Sequence, residues 1–249
     1  MKTEWDYTTL ADAFLKRPDY ATEAIDILLE KAGCKKGDKV CDIGAGVAHL
    51  TIMLAEKGFN VSAVEPNDAM RENGINRTAL FSNVSWSDGT GEHTAQQDKS
   101  FDLVTFGSSF NVCDRDAALR ETARILKSGK WFACCWNHRQ LNDPIQQEIE
   151  SIIASHIKGY SYGTRREDQT DVINASGLFE LAVYIEGTVK HQQTIADCIE
   201  AWRSHGTLAR QARDKFDVII QDIASFLNKL GRPVIDIPYQ TRMWAAKLR

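Results

Sequence analysis

Two glycines one residue apart, Gly44 and Gly46, follow the apolar run Val40-Cys41-Asp42-Ile43 and precede Val47-Ala48-His49-Leu50. Neither glycine carries a Cβ, so backbone there can turn sharply and approach a ligand closely. Further on, a second apolar run, Val61-Ser62-Ala63-Val64, ends in Glu65. A glycine turn after one strand and an acid at the tip of the next is how a parallel α/β sheet holds a ribose-bearing ligand.

Three ligands compete for such a turn. A dinucleotide site has the spacing G-x-G-x-x-G, and here His49 occupies the third glycine position. A phosphate loop needs G-x-x-x-x-G-K-[ST], which the chain lacks. S-adenosylmethionine has no phosphate; it needs close backbone approach for its amino-acid part and an acid for its ribose. Other chemistry-bearing residues are scattered. His49, His93, His138, His156, His191 and His205 show no zinc spacing. The six cysteines (Cys34, Cys41, Cys113, Cys134, Cys135 and Cys198) contain no C-x-x-C and read as buried thiols of a reducing compartment. His138 titrates in a range suited to general-base work, against the plainer reading of a loop histidine. Asn111 could hold a substrate carbonyl but cannot act as a base. Asp114 reads as a helix N-cap, and Arg165-Arg166 as a solvated pair or a site for an acidic substrate.

These residues must be placed by alternating elements. Helical spacing covers Thr8–Lys16 and Tyr20–Lys31, with Gly33 as a stop. Strands are expected at Lys39–Ile43, Val61–Val64, Val84–Trp86, Phe101–Phe106 and Trp131–Trp136, with helices Ala48–Lys57, one capped by Asn67 or Asp68 and running through Gly74, and Asp116–Leu126 between them. Strict alternation argues for a parallel sheet covered on both faces. Beyond it, helices are expected at Pro144–Ile157, Asp171–Ser176, Thr194–Ser204 and Leu208–Leu230, strands at Phe179–Val189 and Ile235–Leu248, and a polar loop at Lys158–Thr170. The chain has 249 residues, 43% hydrophobic and 26% charged, with net charge −4. That is an ordinary globular balance with no overall basic field for nucleic acid or anionic membrane. No apolar run reaches the roughly 18 residues of a membrane span, so a cytoplasmic location is expected.

Four motifs in register resemble those of class I S-adenosylmethionine-dependent methyltransferases: Asp42-Ile43-Gly44-Ala45-Gly46, Glu65, Phe101-Asp102-Leu103-Val104, and Arg124-Ile125-Leu126-Lys127-Ser128-Gly129-Lys130. The resemblance covers roughly residues 38–136 and is closest to the small-molecule branch that includes trans-aconitate, biotin-synthesis and quinone methyltransferases. It implies a Rossmann-like α/β fold: a seven-stranded, mostly parallel sheet with an antiparallel last strand inserted beside strand five. It implies one domain over 1–249, with a helical lid at 1–33 and inserted helices at 144–176 and 194–230 forming a cap. Asp42 would orient the methionine ammonium, Gly44, Ala45 and Gly46 would meet the methionine part, and Glu65 would accept the ribose hydroxyls. Pro66 or Asn67 and Met70 would flank the adenine, with Thr90 and Gly91 at its edge. Ser108 and Ser109 would lie near methionine and substrate. Tyr7 or Arg17 of the lid, which runs from Trp5 to Tyr20, would meet the methionine carboxylate. Two departures stand out: Ala48 where the family often has a third glycine, and Thr90 where it commonly has aspartate. The implied activity is methyl transfer to a small molecule at oxygen or nitrogen, with no metal. The catalytic candidates are Asn111 and His138. Trp202, Arg203 and His205 would line the cap. The alternatives are a carrier-bound or protein substrate, or a protein that binds the cofactor without catalysis.

Overall fold

The computed structural model describes residues 6–249; Trp5 and the rest of residues 1–5 in the expected lid lie outside it. A 3-10 turn at Thr8–Leu10 leads into α1 (Ala11–Phe14), followed by α2 (Thr22–Ala32). Next come β1 (Lys39–Ile43), α3 (His49–Glu56), β2 (Asn60–Val64), α4 (Asp68–Thr78), β3 (Val84–Ser87) and β4 (Phe101–Gly107). Then follow α5 (Arg115–Ile125), β5 (Leu126–Arg139), α6 (Pro144–His156), α7 (Thr170–Ala175) and β6 (Val183–Thr194). The chain closes with α8 (Ile195–Arg203), α9 (Gly206–Ala212), α10 (Phe216–Lys229) and β7 (Val234–Lys247). The seven strands form one sheet in the order β3-β2-β1-β4-β5-β7-β6, parallel from β3 to β5 and antiparallel through β7 and β6.

One apolar cluster fills each face of the sheet. Ile25, Leu28, Leu50 and Leu54 of α2 and α3 pack on one face; Leu119 and Ile125 of α5 and Ile173 of α7 pack on the other. Gly187 lets α2 sit tightly on β6, since a Cβ there would lie 2.9 Å from that of Ala21. A third cluster forms where β6 and β7 run on past the other strands. Ile149 and Ile153 of α6, Trp202 of α8 and Ile219, Ile220 and Ile223 of α10 close over Ile235, Ile237 and Tyr239.

Several expectations shift. β5 does not end at Trp136: it continues to Arg139, because β7 supplies partners from Trp131↔Lys247 out to Arg139↔Tyr239. Phe179 makes only an isolated bridge to Leu248, and the strand starts at Val183 and runs on to Thr194. The single helix expected over Leu208–Leu230 is two, α9 and α10, joined by a 3-10 turn at Arg213–Lys215 where Arg213 takes φ 52°. α4 continues past Gly74, which is needed there for contact: a Cβ would fall 2.1 Å from the Trp86 ring.

Candidate functional site

The carboxyl ends of β1, β2, β4 and β5 open into one cavity of about 600 Å³. It lies where the strand order reverses at β1, the crevice in which open α/β sheets hold ligands. Asp42, Gly44, Ala45, Gly46, Glu65, Pro66, Met70, Thr90, Gly91 and Ser108 line it, with Tyr7 and Arg17 from the N-terminal segment and the two catalytic candidates Asn111 and His138.

The turn is built from β1 outward. The Gly44 and Ala45 N–H groups both donate to the Val64 carbonyl, at 2.8 and 3.1 Å, tying the turn to the end of β2. Gly44 has φ 64°, and a Cβ on it would lie 2.4 Å from the Cβ of Ser109, whose hydroxyl donates to the Ile43 carbonyl. Asp42 is 1% exposed beneath the turn and accepts from the hydroxyls of Thr51 (2.7 Å) and Thr105 (2.9 Å). Ala48 precedes α3 with φ 75°, a left-handed conformation that favours glycine and costs an alanine roughly 1–2 kcal/mol. His49, which breaks the dinucleotide spacing, serves the packing of the N-terminal segment instead. Its ring nitrogens face two acceptors, Asp19 Oδ1 at 2.7 Å and the Phe14 carbonyl at 2.9 Å, and so fasten that segment to the start of α3.

Glu65 is 6% exposed. Its Oε2 accepts from the Gly46 N–H at 2.8 Å and its Oε1 from the Asn67 N–H at 2.9 Å. Each carboxylate oxygen has a second lone pair, so the backbone bonds fix the group and leave acceptor capacity towards the cavity. Burial pushes its pKa up to about 7 against those two hydrogen bonds; burial likewise pushes Asp42 up to about 6. Asn67 N-caps α4 by accepting from the Met70 N–H, which sets Met70 beside Gly46. Thr90 is turned into its own loop: its N–H donates to the His93 carbonyl and its hydroxyl accepts from the His93 N–H. That uses two of the groups Thr90 has for an adenine edge. Gly91 packs so closely on Cys113 that a Cβ would meet Sγ at 2.4 Å.

Ser108 has φ 61° and shares a 2.9 Å hydrogen bond with the buried Tyr20 hydroxyl. Asn111 accepts from Trp136 Nε1 at 2.8 Å, which fixes its amide and aims the NH2 as a donor. Asp114 caps α5 as expected. Arg17 is committed to the segment after α8: Nε donates to the Ser204 hydroxyl at 2.9 Å, an Nη to the Ser204 carbonyl at 2.6 Å, and the guanidinium lies 3.6 Å from the Phe14 ring centre. Replacing it with methionine should loosen this strut. We expect about 1–2 kcal/mol lower stability and faster amide exchange across α1, read by mass spectrometry; unchanged exchange there would contradict the assignment.

The cavity is also lined by residues outside the sequence motifs: Arg139, Tyr162, Arg166, His205 and Tyr239. Of the residues expected to line the cap, His205 does so, Trp202 is buried behind the wall, and Arg203 is paired with Glu200 at the surface. The Arg166 guanidinium lies over the Tyr162 ring; the side chain of Arg165 is outside what is described. Among the described residues no cluster of His, Cys, Asp or Glu could hold a metal, and no helix is long and apolar enough to cross a membrane.

Residues 41–134 match the model of a methyltransferase domain. The chain is 37% identical over 137 residues to an uncharacterized methyltransferase of Mycobacterium tuberculosis (strain H37Rv), a match covering 55% of this chain and 54% of that protein. It thus spans about half the length of that relative. It is 30% identical over 188 residues to a demethylmenaquinone methyltransferase of Tropheryma whipplei, covering 71% of this chain and 77% of that one. The fold is similar to that of the YcgJ protein of Bacillus subtilis (TM-score 0.56, 20% identity, covering 91% and 98% of the two chains). It is also similar to phosphoethanolamine N-methyltransferase 2 of Haemonchus contortus, solved with S-adenosylhomocysteine (TM-score 0.52, 17% identity, covering 90% and 52%). Matched along its motifs and over most of the Tropheryma protein, the chain belongs to the class I S-adenosylmethionine-dependent methyltransferases.

Proposed function

We propose that this protein transfers the methyl group of S-adenosylmethionine to the oxygen or nitrogen of a small molecule by in-line displacement. The observation that carries the reading is Glu65. Its carboxylate is fixed by two backbone N–H groups at the rim of a glycine turn, inside a cavity that arginines and tyrosines also line. The donor set suits the cofactor. A carboxylate faces where ribose hydroxyls would lie, glycine backbone lines the path of the methionine part, and no phosphate cradle is required. The acids Asp42 and Glu65 also suit a cationic ligand. When bound, the cofactor supplies an activated methyl on a sulfonium.

The chain's own residues then divide the work. Gly44 to Gly46 and Glu65 bind and orient. The N-terminal segment, held by His49 and Arg17, acts as a lid that excludes water, and the helices α6 and α8–α10 serve as a cap over the acceptor. The Asn111 amide and the His138 ring hold the acceptor atom in line, where alignment supplies most of the rate. A base is required only if the acceptor must lose its proton early, and His138 is the group to take it. A demethylmenaquinone methyltransferase among the relatives supports a small acceptor.

The test is incubation with methyl-labelled S-adenosylmethionine and fractionated small-molecule extracts. Label should appear in a small product, and its absence from every fraction would overturn the reading. A pH signature accompanies it. Glu65 and Asp42 hold protons more tightly in the folded protein than in the unfolded one, so their effect on free-protein stability is unfavourable as pH rises from the usual carboxylate range through about 6 to 7. A ligand that needs Glu65 ionised reverses that trend, so its affinity should fall by up to ~10-fold per pH unit below about 7. Melting curves between pH 5.5 and 8 with and without S-adenosylhomocysteine check this; ligand stabilisation that does not grow with pH would count against it.

A further inference from the structure

The cavity is lined by the acids Asp42, Glu65, Glu92 and Asp114 and by three arginines, Arg17, Arg139 and Arg166. Arg139 is the informative one. It is the last residue of β5 and lies directly across from Tyr239 of β7, so both side chains project from the same face of the sheet. Its guanidinium carbon lies 4.0 Å from the Trp202 ring centre and 5.5 Å from that of Tyr239. Its other neighbours are the phenols of Tyr160 and Tyr162 and the thiol of Cys198. Among the described residues no carboxylate is paired with it, and its Nε is buried without a hydrogen-bond partner. The acid of this region, Glu150, accepts instead from the Tyr162 hydroxyl.

Cation–π contacts offset part of the cost of burying a guanidinium, but they supply no in-plane acceptor and no counter-charge. The natural complement to its N–H fork is a carboxylate or phosphate, held by two parallel charge-assisted hydrogen bonds. Trp202 and Tyr239 hold the planar guanidinium in place, which pre-organises it for such a pairing. Arg166 adds a second positive charge beside it: it stacks 4.0 Å from the Tyr162 ring centre and donates to the Arg139 carbonyl at 3.2 Å.

We propose that the methyl acceptor is an anionic small molecule whose oxyanion, carboxylate or phosphate, is bound by the Arg139 guanidinium where it rests between Trp202 and Tyr239. The proposal builds on the methyltransferase reading and narrows it. It sets this protein apart from an enzyme for a neutral quinol, because a neutral acceptor would leave the buried guanidinium without a counter-charge.

The experiment is calorimetric titration of the S-adenosylhomocysteine-loaded protein with matched probes: benzoate against benzamide, hexanoate against hexanamide, and phenyl phosphate against phenol. In the wild type at least one acid should bind 10-fold or more tightly than its neutral counterpart, and the benzoate and phenyl phosphate arms tell carboxylate from phosphate. Arg139→Gln should bring the acid down to the level of its neutral partner. Arg139→Lys should keep part of the preference, and S-adenosylhomocysteine affinity should stay within 2-fold in both. Acids and neutral partners that bind the wild type equally, or not at all, overturn the proposal; so does a preference that survives Arg139→Gln. The wild-type comparison stands even if Arg139→Gln does not fold, with Arg139→Lys as the second variant. Failure of the wild type to bind S-adenosylhomocysteine would instead sink the methyltransferase reading, an outcome distinct from these.

Discussion

Replacing Glu65 with alanine should weaken S-adenosylhomocysteine binding by at least ~100-fold while leaving the free protein nearly as stable as before. Two hydroxyl donors on one carboxylate make two charge-assisted bonds, each contributing roughly 1.5–3 kcal/mol, and about 1.4 kcal/mol is a factor of ten. Stability should move little because opposing effects meet at this residue. The substitution strands the Gly46 and Asn67 N–H groups, which are then open to cavity water, but it also removes a carboxylate whose burial is unfavourable enough to push its pKa to about 7. Glu65→Gln separates charge from shape. An amide has one oxygen for two backbone donors, so its NH2 must confront either an N–H or a hydroxyl, and an intermediate loss of ~10-fold or more is expected. Titration calorimetry beside thermal melts distinguishes the cases. Wild-type affinity in Glu65→Ala would remove the ribose assignment, and a collapse of the melting temperature would mean that Glu65 chiefly holds the turn together.

The sequence carried the cofactor half of this cavity because that half is local. Each of its residues sits at the end of an element whose period could be read: Asp42 and the glycines after β1, Glu65 after β2, Ser108 after β4. The rest of the lining and its backing were legible only in part, through Arg166, Trp202 and His205, because they are assembled from pairing across long separations. Arg139 looks like a loop residue until β7, about a hundred residues later, extends β5 and sets Tyr239 opposite it. Tyr162 comes from a stretch with no periodicity at all, and Trp202 reaches the guanidinium only through packing of α8. The break between α9 and α10 was invisible for a related reason. Leu208, Ala212, Ile219 and Ile223 all face one apolar cluster, so the helical pattern runs on through a turn that neither glycine nor proline marks. Counting the antiparallel register of β7 along β5 from Trp131↔Lys247 is what places position 239 beside Arg139.

Gly44→Ala should be severely damaging, and Gly46→Ala a much milder change. Both positions are left-handed, at φ 64° and 56°, so each alanine carries a conformational cost of roughly 1–2 kcal/mol. What separates them is what the new Cβ meets. At Gly46 it would come to 3.3 Å from the terminal methyl of Met70, the free end of a flexible side chain. At Gly44 it would come to 2.4 Å from the Cβ of Ser109, which cannot swing aside because the Ser109 hydroxyl is bonded to the Ile43 carbonyl at 2.6 Å. The turn or the loop after β4 must therefore move, and both line the cavity. We expect Gly44→Ala to lose roughly 2–4 kcal/mol of stability and all measurable S-adenosylhomocysteine binding; Gly46→Ala should keep binding within ~10-fold. The double variant Gly44→Ala/Ser109→Gly makes the cause testable. Without the serine side chain the next atom, the Cα of residue 109, lies 3.8 Å from the added methyl, an ordinary contact. Ser109→Gly alone forfeits the bond to Ile43, so by itself it should destabilise. Combined with Gly44→Ala it should restore part of the lost stability and binding, a coupling that a double-mutant cycle reads directly. Additive losses would mean that the left-handed backbone, not the approach of the Ser109 Cβ, is what requires glycine at this turn.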